Sequence, residues 1–263
     1  MRAGQFKSMF FKKNEIDSGI LVICIHGFGE SGQSFDEIFE SDLAKKYSLV
    51  VPDLPGFGFS KLVGLPGGIE ETARFLEEFL LSVGSEKNII IVAHSMGAAV
   101  ACFLAEKLGD RVRAFISIEG FLIADKKRYS SRYSLFSDPE KFKQNILESL
   151  AKSEECSMIR YRLALTQANA AALFLWARSC YELAADSDVI GRRFLDLKVR
   201  KIYLFGGRSL DSESRDFLSL NNVDVKEFID SGHWLMEEQP DVYKSILEFL
   251  EKPLIKIKSP GER

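Results

Sequence analysis

The chain is short of the residues on which several common chemistries depend. It has 263 residues, three histidines (His26, His94, His233) and four cysteines. Cys24, Cys102, Cys156 and Cys180 stand far apart and form no C-x-x-C pair, so neither a zinc site nor a dithiol redox motif is expected, and no metal or other cofactor is called for. Their apolar or helical surroundings read as reduced thiols of an intracellular protein. Runs of Lys and Arg are missing too. With a net charge of −3, nucleic acid and anionic membrane surfaces are excluded as main partners. No stretch approaches the roughly 18 apolar residues of a membrane span. The first fifteen residues lack the apolar core of a signal peptide, so the expected location is the cytoplasm. Repeats, low-complexity segments and interdomain linkers are absent as well. A chain of this length buries about three quarters of its unfolded surface and needs no covalent staple.

What is present is organised around Asn88 to Gly97, NIIIVAHSMG. Ile89, Ile90, Ile91 and Val92 form a β-branched run, the pattern of a strand buried on both faces. AAVACFLAEKL, which follows, reads as a helix apolar nearly all round. A strand that becomes a helix within so few residues must turn sharply. Ala93 and Gly97, two before and two after Ser95, are small enough to let the two backbones approach. The pattern is G-x-S-x-G with Ala in the first place, a nucleophile elbow that presents Ser95 Oγ at the carboxyl end of the sheet.

On these residues the chain resembles the α/β-hydrolases, and other segments extend the resemblance. His26-Gly27-Phe28-Gly29 after the strand 20–25 is similar to the family's H-G-x-G loop. The resemblance makes the backbone N–H groups of Phe28 and Met96 the oxyanion donors, and His26 structural. Pro52 to Ser60 resembles the D-L-P-G-x-G-x-S loop, whose Asp53 is read as structural. The implied fold is α/β: a mostly parallel central sheet flanked by helices, with an all-helical cap inserted after strand six. The expected division is 1–120 and 189–252 for the core, 121–188 for the cap and 253–263 for a tail. Residues 6–13 predict a single N-terminal strand where relatives have an antiparallel pair. Residues 35–46 predict an amphipathic helix, 139–152 a helix opened by Asp138 and Pro139, and 158–185 one or two more.

A serine hydroxyl needs an adjacent base. His94 neighbours Ser95 on an extended strand end and points to the other side. His233, in Ser-Gly-His after the last strand, completes the order Ser…acid…His. The acid is where the chain departs from its relatives. The usual G-x-x-D place after strand seven holds Ser209 or Leu210. Asp211 follows, but it reads as a helix N-cap. Glu119 ends the run FISIE after strand six, where some members of the fold, including a group of haloalkane dehalogenases, place their acid. A carboxylate there is costly to bury unpaired, and His233 would resolve the cost. The expectation is therefore Ser95, His233 and Glu119, with Asp211 as alternative acid. Phe28, Met96, Phe121, Trp176 and Trp234 are candidates to surround the site. Arg128, Arg132 and Arg178 are of the type that binds a substrate carboxylate, but they read as solvated or cap-stabilising and are not counted in the site.

The implied activity is hydrolysis of a small to medium apolar carboxylic ester through an acyl-enzyme. Thioesters, lactones and carbon–carbon bonds are alternatives on the same residues. A ligand sensor of the same fold with little turnover is the rival from another class. The expected partner is a small-molecule ester, with no nucleic acid or membrane.

Overall fold

The run Ile89–Val92 is buried on both faces because its side chains alternate between two cores. Ile89, Ile91 and Ala93 enter one, Ile90 and Val92 the other. The strand to the N-terminal side does the same, with Leu21, Ile23 and Ile25 on one face and Val22 and Cys24 on the other. The computed structural model describes residues 1–62, 67–84, 87–123, 133–153, 155–184, 186 and 188–252. Its strands are β1 (Arg2–Phe6), β2 (Met9–Lys13), β3 (Ile20–Ile25), β4 (Ser48–Pro52), β5 (Asn88–His94), β6 (Val112–Ile118), β7 (Arg200–Gly206) and β8 (Val225–Phe228). They make one sheet in the order β1-β2-β4-β3-β5-β6-β7-β8. From β4 to β8 every pairing is parallel, while β1–β2 and β2–β4 are antiparallel.

Among the described residues the helices are α1 (Asp42–Lys46), α2 (Ile69–Gly84), α3 (Gly97–Leu108), α4 (Pro139–Leu150), α5 (Cys156–Gln167), α6 (Ala170–Leu183), α7 (Val189–Asp196), α8 (Ser212–Leu220), α9 (Leu235–Glu238) and α10 (Asp241–Glu251). None of the described helices is long and apolar enough to cross a membrane. α3, apolar all round, is covered on almost every side, with Gly97 to Ala105 buried without a break. α4 to α6 follow β6, so the alternation of strand and helix stops there and resumes at β7.

Two local expectations are corrected. Residues 2–13 are a hairpin of two strands, because Lys7 takes a positive φ of 53° and turns the chain at Lys7-Ser8. Residues 32–46 are two short pieces instead of one helix. Gly32–Glu40 is a 3₁₀ segment with Ser31 at its N-cap, kinked at Phe35, and α1 begins after Ser41. Phe35 and Ile38 are three apart, the spacing that stacks side chains on one face of a 3₁₀ turn, and both are fully buried. The stretch predicted at 158–185 is two helices. Asn169 breaks it: its side chain accepts from Ala172 N–H at 3.1 Å, while its own N–H donates to Gly56 O at 2.8 Å. The expected tail, Arg128 and Arg132 lie outside the described residues.

α5 is held to the core by charge and stacking. Arg160 reaches Glu37 at 3.0 Å and Glu237 at 3.4 Å, and the Tyr161 ring lies 5.2 Å from that of Trp234. On the opposite side of the elbow, Gly97 lies so near the end of β3 that a Cβ there would sit 2.5 Å from His26 O and 2.6 Å from Ile25 O. Backbone atoms cannot yield as a flexible side chain does. Gly97→Ala is expected to destabilise the protein by about 1–3 kcal/mol, measured as a lowered Tm and denaturation midpoint. The cysteines give a second check. Burial pushes the thiols of Cys24, Cys102 and Cys180 up, whereas Cys156 is exposed. Ellman's reagent is expected to titrate Cys156 promptly in native protein and the other three only on unfolding.

Candidate active site

Ser95 sits at the turn between β5 and α3 with a φ of +50°. For a non-glycine residue this conformation costs about 1–2 kcal/mol. Three backbone hydrogen bonds hold it there: Ser95 N–H to Ile118 O at 2.9 Å, and Ala98 N–H and Phe121 N–H to Ser95 O at 3.0 and 2.9 Å. Each contributes about 0.5–1.5 kcal/mol, enough together to offset the strain. Within the run Ile89 to Ala105, Ser95 alone is not buried. The turn therefore delivers one polar residue to an opening in an otherwise closed element.

Glu119 repeats this geometry at the end of β6. Its φ is +49°, and its N–H donates to Leu204 O at 2.8 Å. The residue is 3% exposed, and its carboxylate is fully paired. Oε1 accepts from Gly206 N–H at 2.7 Å and Ser209 Oγ at 2.8 Å, while Oε2 lies 3.1 Å from His233 Nδ1. Gly206 also lets the segment before His233 pack against the end of β7, since a Cβ there would stand 2.2 Å from Gly232 O and 2.4 Å from Ser231 O. His233 Nε2 in turn lies 3.0 Å from Ser95 Oγ. With Nδ1–H donated to a carboxylate, Nε2 is the nitrogen able to accept a proton from the serine. Asp211 is not part of this chain of bonds. It caps α8, accepting from Ser214 N–H at 2.8 Å.

His26 is buried and bonded at both nitrogens. Leu54 N–H donates to Nε2 at 2.9 Å, and Nδ1 lies 2.9 Å from Gly27 O. An imidazole that accepts at one nitrogen is neutral, in keeping with burial lowering its pKa. It ties the Gly27-Phe28-Gly29 loop to the loop after β4. Asp53 braces the same region, accepting from Gly32 N–H at 2.7 Å and Phe59 N–H at 2.8 Å. Met96 is the N-cap of α3, and the N–H of a residue at that place has no acceptor within the helix. Phe28, Met96 and Phe121 are almost fully buried beside the elbow, Trp234 is partly buried, and Trp176 is inside the helical insertion. Arg178 is exposed and paired with Glu182 one turn on.

Three residues that touch this arrangement carry little sequence signal. Ser209 stands where relatives carry the acid and bonds to Glu119. Glu30 and His94 form a buried pair with each other, His94 Nδ1 lying 2.9 Å from Glu30 Oε1. A charged residue inside a glycine-rich apolar loop was the one hint that Glu30 had a partner. Among the described residues no group of three or more His, Cys, Asp or Glu is arranged to hold a metal ion.

Residues 20–186 match the model of a family described as alpha/beta hydrolase fold. The dihydrolipoyllysine-residue acetyltransferase component of the acetoin cleaving system of Cupriavidus necator is 27% identical over 86% of this chain and 62% of its own length. Lipase 3 of a Moraxella species is 30% identical over 40% of this chain and 33% of its own length. The chain thus spans less than two thirds of the length of these curated relatives. Among solved structures, a thermophilic esterase from Thermogutta terrifontis superposes with a TM-score of 0.74 over 92% of both chains, at 21% identity. The eight-stranded sheet, the elbow at Ser95 and the matched segment agree: this chain belongs to the α/β-hydrolase fold family.

Proposed function

We propose that the protein is a serine hydrolase that cleaves a carboxylic ester through an acyl-enzyme. The observation that carries this reading is the unbroken chain from Ser95 Oγ to His233 Nε2 and from His233 Nδ1 to Glu119, with steps of 3.0 and 3.1 Å. Ser95 Oγ attacks the ester carbonyl while His233 Nε2 takes its proton. The Glu119 carboxylate stabilises the imidazolium, and the amides of Phe28 and Met96 receive the negative oxygen. Expulsion of the alcohol takes the proton back from His233 and leaves Ser95 acylated. A water molecule, deprotonated by His233 in its turn, releases the acid and restores the serine. The esterase and lipase names among the similar proteins support the same chemistry.

The helices α4 to α6 act in this reading as a cap over the serine. Phe28, Met96 and Phe121 supply apolar walls, which favours small to medium, uncharged acyl groups. Chain-length panels of p-nitrophenyl esters are expected to give the highest kcat/KM below long-chain lengths and poor turnover of anionic esters.

The test of the nucleophile is covalent. A sulfonyl fluoride or organophosphate is expected to add to Ser95, located by peptide mapping; an adduct elsewhere, or one that survives Ser95→Ala, refutes the reading. The acid is tested by ranking two variants. Glu119→Gln keeps the shape but leaves the wrong tautomer on His233, and kcat is expected to fall about 10³- to 10⁴-fold. Asp211→Asn, still able to cap α8, is expected to leave kcat within about twofold. The reverse order would move the acid to Asp211.

A further inference from the structure

Beside the Ser95–His233–Glu119 chain lies a second carboxylate with a second imidazole. Glu30 closes the loop after β3, and His94 is the last residue of β5; both are buried, at 2% and 0% exposure. His94 Nδ1 lies 2.9 Å from Glu30 Oε1 and 3.0 Å from Oε2, and its Nε2 is 2.9 Å from the main-chain oxygen of His233. The same carboxylate accepts from Gly27 N–H at 3.0 Å and from the Trp234 indole N–H at 3.1 Å. One buried anion is bonded to the oxyanion loop, to the residue before Ser95 and to the residue after His233.

The partners decide where the protons are. The carbonyl of His233 can only accept, so His94 Nε2 carries a hydrogen. The Glu30 carboxylate already receives two N–H groups and is an acceptor toward Nδ1 as well. An imidazole between two acceptors satisfies both only with a hydrogen on each nitrogen, which is the imidazolium. Burial works against that charge, but the Glu30 carboxylate, the main-chain oxygen of His233 and the more distant Glu119 together outweigh it and raise the proton affinity of His94. Burial also works against the Glu30 charge, and His94 together with Gly27 N–H holds its carboxyl at about 2. The other titratable groups around the pair are His26 at the end of β3, Glu119 at the end of β6, His233 after β8 and Glu237 on α9, which also faces Arg160 and Glu37. To take the serine proton, His233 needs the opposite assignment, one hydrogen, on Nδ1. Two rings with centroids 4.7 Å apart would then differ by a unit of charge.

We propose that Glu30 and His94 are a positioning pair for the Ser95 site: His94, held as a cation by Glu30, fixes the main chain of His233 and disfavours protonation of the neighbouring ring in the resting enzyme, so that Nε2 is open to the serine proton when substrate arrives. The proposal rests on the esterase reading above. Neither residue touches substrate; both act through His233 and, for Glu30, through the oxyanion loop. Deprotonation of His94 would set a lone pair against either Glu30 or the carbonyl of His233, loosening the base at the point where it must meet Ser95.

The first measurement needs no variant. In full-length protein with ¹⁵N-labelled histidine, NMR is expected to show His94 doubly protonated at neutral pH, above the ordinary histidine midpoint of 6.5, with both N–H protons slow to exchange. The second uses His94→Gln, which keeps a neutral amide donor and removes the cation. With p-nitrophenyl acetate, kcat is expected to fall about 10- to 100-fold with KM within about twofold. The acidic limb of kcat/KM is expected to move up by about one pH unit. Glu30→Gln in the same chain removes the stray carboxylate and is expected to bring that limb part-way back without restoring kcat. A singly protonated His94 at neutral pH overturns the proposal, as does a folded His94→Gln enzyme with wild-type kcat and limb. Should the variants not fold, the NMR result decides alone. Should wild type turn over no ester, the esterase reading fails, and the rate of organophosphate addition to Ser95 replaces kcat as the readout for the pair.

Discussion

Two backbones in contact hold the carboxyl edge of the sheet together. α3 starts so close to the end of β3 that only a hydrogen fits between Gly97 and the carbonyls of Ile25 and His26. That approach places the first turn of the helix beside the loop from Gly27 to Glu30. It forces Ser95 into a left-handed conformation, and it brings the strand end, the helix start and the glycine loop within reach of one another. The bonds between Ser95, Ile118 and Phe121 then tie the turn to the end of β6, where Glu119 makes the same kind of turn. A wider crossing of α3 over β3 would separate these parts and leave each without its partners.

Much of this was legible in the residues because it depends on local pattern. A β-branched run ending in small residues around a serine specifies a buried strand, a tight turn and a close helix, each by simple sterics. Ser95, His233 and Glu119 are singled out by the resemblance to the α/β-hydrolases, with the small number of histidines narrowing the base and the cost of burying a carboxylate at a strand end supporting the acid. What was not legible depends on contacts between distant segments. The hairpin at residues 2–13 rests on a positive φ at Lys7, a residue type with no preference for it. The 3₁₀ segment is a response to packing Phe35 and Ile38 under the sheet. The break at Asn169 depends on Gly56, far away in the chain. The Glu30–His94 pair spans 64 positions, and neither residue's neighbours announce the other.

Ser209 shows how a carboxylate at the end of β6 is accommodated. The residue in the place of the usual carboxylate supplies a hydroxyl, and the loop that carries it offers Gly206 N–H to the same oxygen. The carboxylate on β6 thus enters a pocket of donors on the end of β7, and the cost of burying it is offset by bonds on both of its oxygens. In the proposed triad the two strand ends exchange roles, with His233 bonded between Ser95 and Glu119.

The spacing of these parts along the chain has a consequence for how the protein is made. Ser95 and His233 are 138 positions apart, and Glu119 is anchored by Leu204, Gly206 and Ser209, all from the second half of the chain. During synthesis the elbow strand leaves the ribosome long before any of these partners. On the reading proposed above, Ser95 gains its base only once β8 and the loop that carries His233 have docked. A product cut short before His233 would then hold no activated serine to turn on its surroundings.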